Sequence, residues 1–138
     1  MDMLNQAQKT SLTIALRITE MFLDEIEHLI TKDNADSHIM YKYTDLPSSE
    51  SRDKIINDIN KCRVIIKKIK DEFQCETEIM SIPKVIGGRL SYLWEVFEDT
   101  KSDKLKRYGD VDPALKNKLD PLLTNLMELL SKLMKVSE

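Results

Sequence analysis

The sequence predicts an all-α protein, folded as an antiparallel four-helix bundle. Charged residues make up 33% of the 138 residues and hydrophobic residues 41%, a mixture typical of long amphipathic helices. Turn formers are scarce, with three glycines and four prolines. Apolar residues recur at the three-to-four spacing of a helix face near residues 5–33, 49–76, 83–108 and 113–136. A chain of this length is expected to form one domain, residues 1–138.

The first predicted helix, near residues 5–33, carries a wide apolar face with an acidic strip opposite it. Asn34 is a candidate left-handed cap at its end. The apolar face consists of Leu12, Ala15, Leu16, Thr19, Phe22, Leu23, Ile26, Leu29 and Ile30, widened by Ile14, Ile18 and Met21. The acidic strip consists of Glu20, Asp24, Glu25 and Glu27.

The first connection, residues 34–48, is long for neighbouring helices and is rich in loop-forming residues. It is either a crossover or a loop with its own role. Its apolar residues are expected to pack back onto the bundle. They are Ile39, Met40, Tyr41 and Tyr43.

The second helix is predicted to open at Pro47-Ser48-Ser49, with a serine as N-cap and Glu50 near the positive helix end. A three-four seam of apolar residues follows, and it includes Cys62 as a small core residue. A basic strip on this helix could face the acidic strip of the first; it consists of Lys61, Arg63, Lys67, Lys68 and Lys70. The seam consists of Ile55, Ile56, Ile59, Cys62, Ile66, Ile69 and Phe73.

The third helix is predicted to begin at Ser81-Ile82-Pro83, because proline is tolerated in a first turn. Gly87 and Gly88 lie early in it and cost about 1 kcal/mol each relative to alanine. We therefore expect a close backbone contact, a kink or a bound group there. Tyr108-Gly109 is predicted to end the helix, with the glycine in a left-handed conformation.

The fourth helix is predicted to start at Asp112-Pro113. Pro121 in its interior removes a hydrogen bond, so the helix is expected either to kink near Leu119 or to split into a short and a longer helix. Two adjacent apolar seams run along it and together cover roughly 180° of its circumference. The two seams are Leu115, Leu119, Leu122, Leu126, Leu129, Leu133 and Val136, and Leu123, Met127, Leu130 and Met134.

A surface helix needs an apolar stripe of only about 100° or somewhat more, so the fourth helix must be covered from two sides. Either the other three helices cover it, or a second subunit covers the seam Leu123, Met127, Leu130 and Met134, which one chain would leave partly bare. Methionine is adaptable at such surfaces. The sequence therefore favours a homo-oligomer or a protein partner.

Two sets of residues are candidates for a metal. Glu25 and His28 have the three-residue spacing used in helical di-iron proteins, but the second copy of that motif is missing and both residues fall on the polar side of the first helix. Carboxylates three apart also occur on the first and third helices, and they could hold Mg²⁺ for work on a nucleotide or similar phosphate. These carboxylates are Asp24, Glu27, Glu95 and Glu98.

A basic cluster flanks the predicted end of the third helix. Lys104, Arg107 and Tyr108 could hold a phosphate or nucleic-acid backbone, and the Gly87-Gly88 pair is a further candidate ligand site. Complementing a negative helix end already explains half of the cluster. The net charge of −3 does not favour a nucleic-acid or anionic-membrane partner.

No complete catalytic constellation or phosphate loop is present in the sequence, and no cofactor is predicted. The two cysteines are predicted to be reduced, and no segment has the length of a signal peptide or a membrane span, so a cytoplasmic location is expected. The function that the sequence favours is a non-catalytic helical interaction or scaffold protein that self-associates through its C-terminal helix. The alternative is a metal-dependent helical enzyme acting through the carboxylates named above.

Overall fold

The computed structural model describes residues 3–31 and 38–137, and within these ranges every regular element is helical. The predicted fold class, all-α, is confirmed. Five α-helices and one 3₁₀ turn follow one another along the described chain. They are α1 (Gln6–Thr31), α2 (Ser49–Phe73), α3 (Ile82–Glu98), α4 (Ser102–Leu105), the 3₁₀ turn (Lys106–Tyr108) and α5 (Leu115–Ser137).

The chain forms two compact units, each built on a pair of long helices. In the first, Met1–Thr77, α1 packs against α2; in the second, Glu78–Glu138, α3 and α4 pack against α5. None of the helices described in residues 3–31 and 38–137 has the length and apolar content needed to cross a lipid bilayer.

The helix α1 begins and ends close to the predicted positions. Its start is fixed by a reciprocal pair of hydrogen bonds, in which the N–H of Gln8 donates to the Asn5 side chain at 2.8 Å and the N–H of Asn5 donates to the Gln8 side chain at 2.9 Å. This is a capping box, which satisfies two of the helix's first N–H groups. The predicted cap Asn34 lies outside the described residues.

The ends of α2 show both a predicted and an unpredicted cap. Ser48 is the N-cap, accepting a hydrogen bond from the N–H of Ser51 at 3.2 Å, as the sequence predicted. The helix ends at Phe73 rather than 76, because Gln74 turns into the left-handed region with φ 53°. The N–H of Cys75 then returns to the Lys70 carbonyl at 3.0 Å, the closing bond of a Schellman motif.

The third predicted helix is divided in two. α3 begins at Ile82, with proline in its first turn as predicted, but ends at Glu98 instead of 108. The chain leaves the helix over residues 99–101 and restarts as α4, whose first residue is bonded to α5 (described below). Gly109 has a positive φ of 144°, but with ψ 175° it is extended rather than left-handed helical.

The fourth predicted helix is one continuous helix. It begins at Leu115, because Asp112 accepts hydrogen bonds before it, its side chain from the N–H of Ala114 and its carbonyl from the N–H of Leu115, both at 2.9 Å. α5 continues through Pro121 to Ser137. The alternative of two successive helices was therefore wrong.

The apolar residues of the first connection do not pack back onto the helices, contrary to the prediction. Ile39 and Met40 are almost fully exposed, and Tyr41 and Tyr43 are about half exposed. The aromatic residues instead contact one another: the His38 and Tyr41 rings stack with centroids 4.2 Å apart, and Tyr43 meets Tyr41 edge to face at 5.5 Å.

Candidate interaction surface

The two apolar seams of α5 differ in exposure, and the order is the reverse of the expected one. Leu123 and Met127 are buried, with 8% and 4% of their surface exposed, and Leu130 and Met134 are half-buried. The expectation that one chain leaves this seam partly bare therefore fails at Leu123 and Met127, while Leu130 and Met134 keep part of their surface exposed. The other seam is the open one, and its exposed members are Leu122, Leu126, Leu129, Leu133 and Val136.

The buried seam of α5 is covered within its own unit by α3, which packs along it. Trp94 of α3 and Met127 of α5 line the same cavity of about 210 Å³, and Ser131 of α5 lines it with them. Ser102, beyond the end of α3, meets Asp120 near the start of α5. The two helices therefore run antiparallel.

The open seam of α5 continues onto α3. Leu93 and Val96 are each more than a third exposed. Each residue turns a helix by about 100°. On both helices the exposed apolar residues lie beside the covered face, on the side of the residues that come one position earlier in the sequence. In an antiparallel pair such residues fall on one side. We call this side the α3/α5 face; its apolar residues are Leu93, Val96, Leu122, Leu126, Leu129 and Leu133.

The acidic candidates on α1 are engaged by a cation from α2. The guanidinium of Arg63 donates to the carboxylate of Asp24 at 2.9 Å and also to the carboxylate of Glu27. Both bonds raise the pKa of Arg63 above its usual value, and the bond with Glu27 has the larger effect. The predicted facing of acidic and basic strips is thus realised at Arg63, and both carboxylates already carry a counter-charge.

The remaining metal candidates show no shared arrangement inside their own units. Glu25 and His28 are both exposed on α1. Glu98 pairs with Lys101 at 3.2 Å, and Glu95 is exposed. Across residues 3–31 and 38–137, no group of three or more His, Cys, Asp or Glu side chains is placed to hold a metal ion.

The basic candidates near the 3₁₀ turn hold that turn together. Arg107 donates to the carbonyls of Lys104 and Asp99 at 3.2 and 3.3 Å, and its guanidinium lies 5.9 Å from the centre of the Tyr108 ring. Cations at a helix end bond its last carbonyls in this way. These contacts account for the positions of Arg107 and Tyr108, so no ligand is needed to explain them.

Within the described residues, no neighbouring atom comes so close to the glycine pair of α3 that a residue with a Cβ would be excluded there. A Cβ built on Gly87 or Gly88 would meet nothing within 4 Å. The close backbone contact that we expected as an offset for their cost is therefore absent from the part of the chain that the structure describes.

A cleft that the sequence did not predict lies between α4 and the start of α5, with a volume of about 590 Å³. Ser102 and Asp120 line it, and the N–H and the hydroxyl of Ser102 each donate to the Asp120 carboxylate at 2.9 Å. Both bonds lower the pKa of Asp120, and the bond from the Ser102 N–H has the larger effect. The sequence repeats Asp-Pro at 112 and 120, and both aspartates line this cleft.

The two cysteines differ in exposure. Cys62, expected in the core, is exposed, whereas Cys75, just beyond the end of α2, is buried with 5% of its surface accessible. The Schellman bond explains this, since it folds Cys75 back over the end of α2.

No protein-family model, curated protein sequence or solved structure matches this chain.

Proposed function

We propose that this chain is a non-catalytic helical interaction protein that self-associates through the apolar face of its C-terminal helix. The observation that carries the proposal is the exposure of that helix's leucine seam. Leu122, Leu129 and Leu133 are each more than half exposed, and Leu126 is 40% exposed. Contiguous apolar patches of this kind mark partner surfaces in monomeric proteins.

A partner that covers the leucine seam would remove its side chains from water. Burying a leucine side chain that was in water is worth about 1.5–3 kcal/mol. The seam contributes four half-exposed leucines on one helix, and the α3/α5 face adds Leu93 and Val96. Part of the gain offsets the cost of association, so we expect reversible rather than permanent pairing.

The alternative enzyme function gains no support from the contacts of its residues. It needs Asp24 and Glu27 to be available to a cation such as Mg²⁺, whereas Arg63 occupies both carboxylates.

The finer architecture stays a prediction. An antiparallel four-helix bundle within one chain would cover the same apolar face that we assign to a second copy. The two possibilities differ in molecular mass, which makes them easy to separate. The cytoplasmic location and the single domain also stay predictions.

The experiment is light scattering of the purified chain over a range of concentrations, beside two variants. Leu129→Glu places a charge in the exposed seam, and Ile79→Glu, the matched control, changes a side chain that is 96% exposed between α2 and α3. We expect the wild type and the control to form dimers and Leu129→Glu to be monomeric. Circular dichroism should show equal helix content in all three.

A wild-type chain that stays monomeric at its highest soluble concentration contradicts the proposal. So does a Leu129→Glu variant that dimerises as the wild type does, because the seam would then not be the contact.

A further inference from the structure

We infer that the second copy binds through a two-fold axis, with α5 antiparallel to α5 and α3 lying against α3, so that the two α3/α5 faces form one four-helix core. This inference rests on the proposed self-association. It adds to that proposal the partner surface, the orientation and the register of the contact.

The α5 seam has the spacing of a coiled-coil seam. From Leu119 to Val136 it alternates steps of three and four residues, with leucine at every position before the terminal valine. Such a repeat packs side chains of one helix into the gaps of another. Because the seam is wholly apolar, two copies of α5 could pack through it either parallel or antiparallel. The residues beside the seam must therefore decide the orientation.

The first orienting feature is the position of α3. It covers one edge of the α5 seam. When two copies of α5 pair antiparallel, like edges meet, and the two α3 helices come to lie on the same side. Their exposed Leu93 and Val96 then face each other. In a parallel pair the two α3 helices would lie on opposite sides, and these residues would stay in water.

The second feature is that one two-fold axis serves both helices. Knob packing that overlaps the whole seam, from Leu119 to Val136, places Leu126 opposite Leu129 of the second copy, so the axis passes between these positions. Trp94 and Glu98 of α3 line one cavity with Thr124, Glu128 and Ser131 of α5, which fixes the antiparallel register of the two helices. That register brings Leu93 and Val96 level with Leu129 and Leu126. The same axis therefore lies between Leu93 and Val96, and no shift of either helix is needed.

The third feature is charge. Around this axis Arg89 comes level with Asp99 of the second copy, and both are exposed. Lys118 comes level with the C-terminal end of the second α5, near Ser137, where the helix dipole is negative. A parallel pair would instead place Lys118 beside its own copy, and like charges so close repel.

The test is site-directed disulfide formation in the full chain, in a Cys62→Ser background that removes the exposed thiol. Asn125 and Lys132 lie on the edge of the seam away from α3, and both are exposed. Antiparallel pairing brings Asn125 of one copy close to Lys132 of the other. We therefore mix Asn125→Cys with Lys132→Cys, oxidise the mixture and identify the linked peptides by mass spectrometry.

We expect the mixed disulfide between the two variants as the main product, and little product from Lys132→Cys alone. A chain that dimerises by light scattering but forms only same-residue disulfides, or none, overturns the antiparallel register and leaves self-association standing. A chain that is monomeric by light scattering overturns self-association itself, and this inference with it. A second pair, Arg89→Glu with Asp99→Arg, checks the α3 contact: each single variant should weaken dimerisation, and the double variant should restore it.

Discussion

Asp120 and Ser102 form a two-point contact in which both carboxylate oxygens of Asp120 accept hydrogen bonds, one from the N–H and one from the hydroxyl of Ser102, each at 2.9 Å. Ser102 is buried. The contact gives α4 a cap from a different helix, since Lys101, the residue before α4, makes no side-chain capping bond. It fastens the segment after α3 to the start of α5.

We predict that Ser102→Ala lowers the free energy of unfolding by about 1 kcal/mol, the usual net value of one such hydrogen bond. The hydroxyl bond is lost while the N–H bond to Asp120 stays. Urea denaturation followed by circular dichroism measures the change. Ser91→Ala, an exposed serine on α3, is the control and should unfold as the wild type does.

The lowered pKa of Asp120 predicts a pH-dependent contribution to stability. A carboxylate with a depressed folded-state pKa stabilises the fold above its unfolded value, about 3.9, and the stabilisation is lost as the pH falls through the folded value. Asp120→Asn should therefore be less stable than the wild type at pH 7, and the difference should shrink below about pH 4. Urea midpoints of both chains between pH 7 and pH 3 measure this. A difference that grows toward low pH would contradict the assignment.

We predict opposite consequences for the two seams of α5. Met127→Ala, at a buried position, should cost about 2–5 kcal/mol of unfolding free energy, because it removes core contacts and leaves a cavity. Leu129→Ala, at an exposed position, should change the stability of the monomer little but weaken self-association. Denaturation at low concentration and light scattering at high concentration separate the two. If the two variants changed unfolding free energy and self-association alike, the two seams would not have separate roles.

Arg63 is predicted to hold α1 against α2 through Asp24 and Glu27. Arg63→Met keeps the apolar stem but removes the charge, so it should lower the urea midpoint, and by less at high salt, because salt screens partly exposed pairs. Lys61→Met is the control, because Lys61 pairs only loosely, at 4.0 Å, with Asp58 of its own helix. A midpoint unchanged by Arg63→Met would show that the bonds contribute orientation only.

Gly88→Ala is predicted to stabilise the chain by about 0.4–1 kcal/mol, because alanine restricts the unfolded state and the added methyl group meets nothing within 4 Å. Gly109→Ala should destabilise it, since a φ of 144° strains any residue with a Cβ. Thermal melts compare the two. Loss of dimerisation in Gly88→Ala, with stability raised, would indicate that a second chain approaches this glycine.

Periodicity was enough to predict the helices but not their packing. The three-four spacing placed α1, α2 and α5 within a few residues, and Ser48 and Pro83 were correct start signals. Periodicity did not show that α3 ends at Glu98 and that a new helix starts at Ser102, whose bonding partner Asp120 lies 18 residues further along the chain. Nor could it decide which α5 seam is covered. Both seams have the same spacing, and only the position of α3 distinguishes them.

Candidate site residues were the least predictable part. Asp24 and Glu27 have a spacing that suits a metal, yet both carboxylates bind Arg63, which lies 39 residues from Asp24 and 36 residues from Glu27. A sequence shows which carboxylates share a face but not which distant cation meets them. Arg107 and Tyr108 likewise satisfy the backbone of their own turn.

The different exposure of the two cysteines lets local opening of the chain be measured without an added label. An alkylating reagent should modify the exposed Cys62 first, whereas Cys75 reacts only when the end of α2 loosens and its bond to Lys70 breaks. Counting one or two adducts by intact mass over time therefore reports how often this helix end opens in the native protein. The measurement needs neither an engineered label nor any knowledge of a partner.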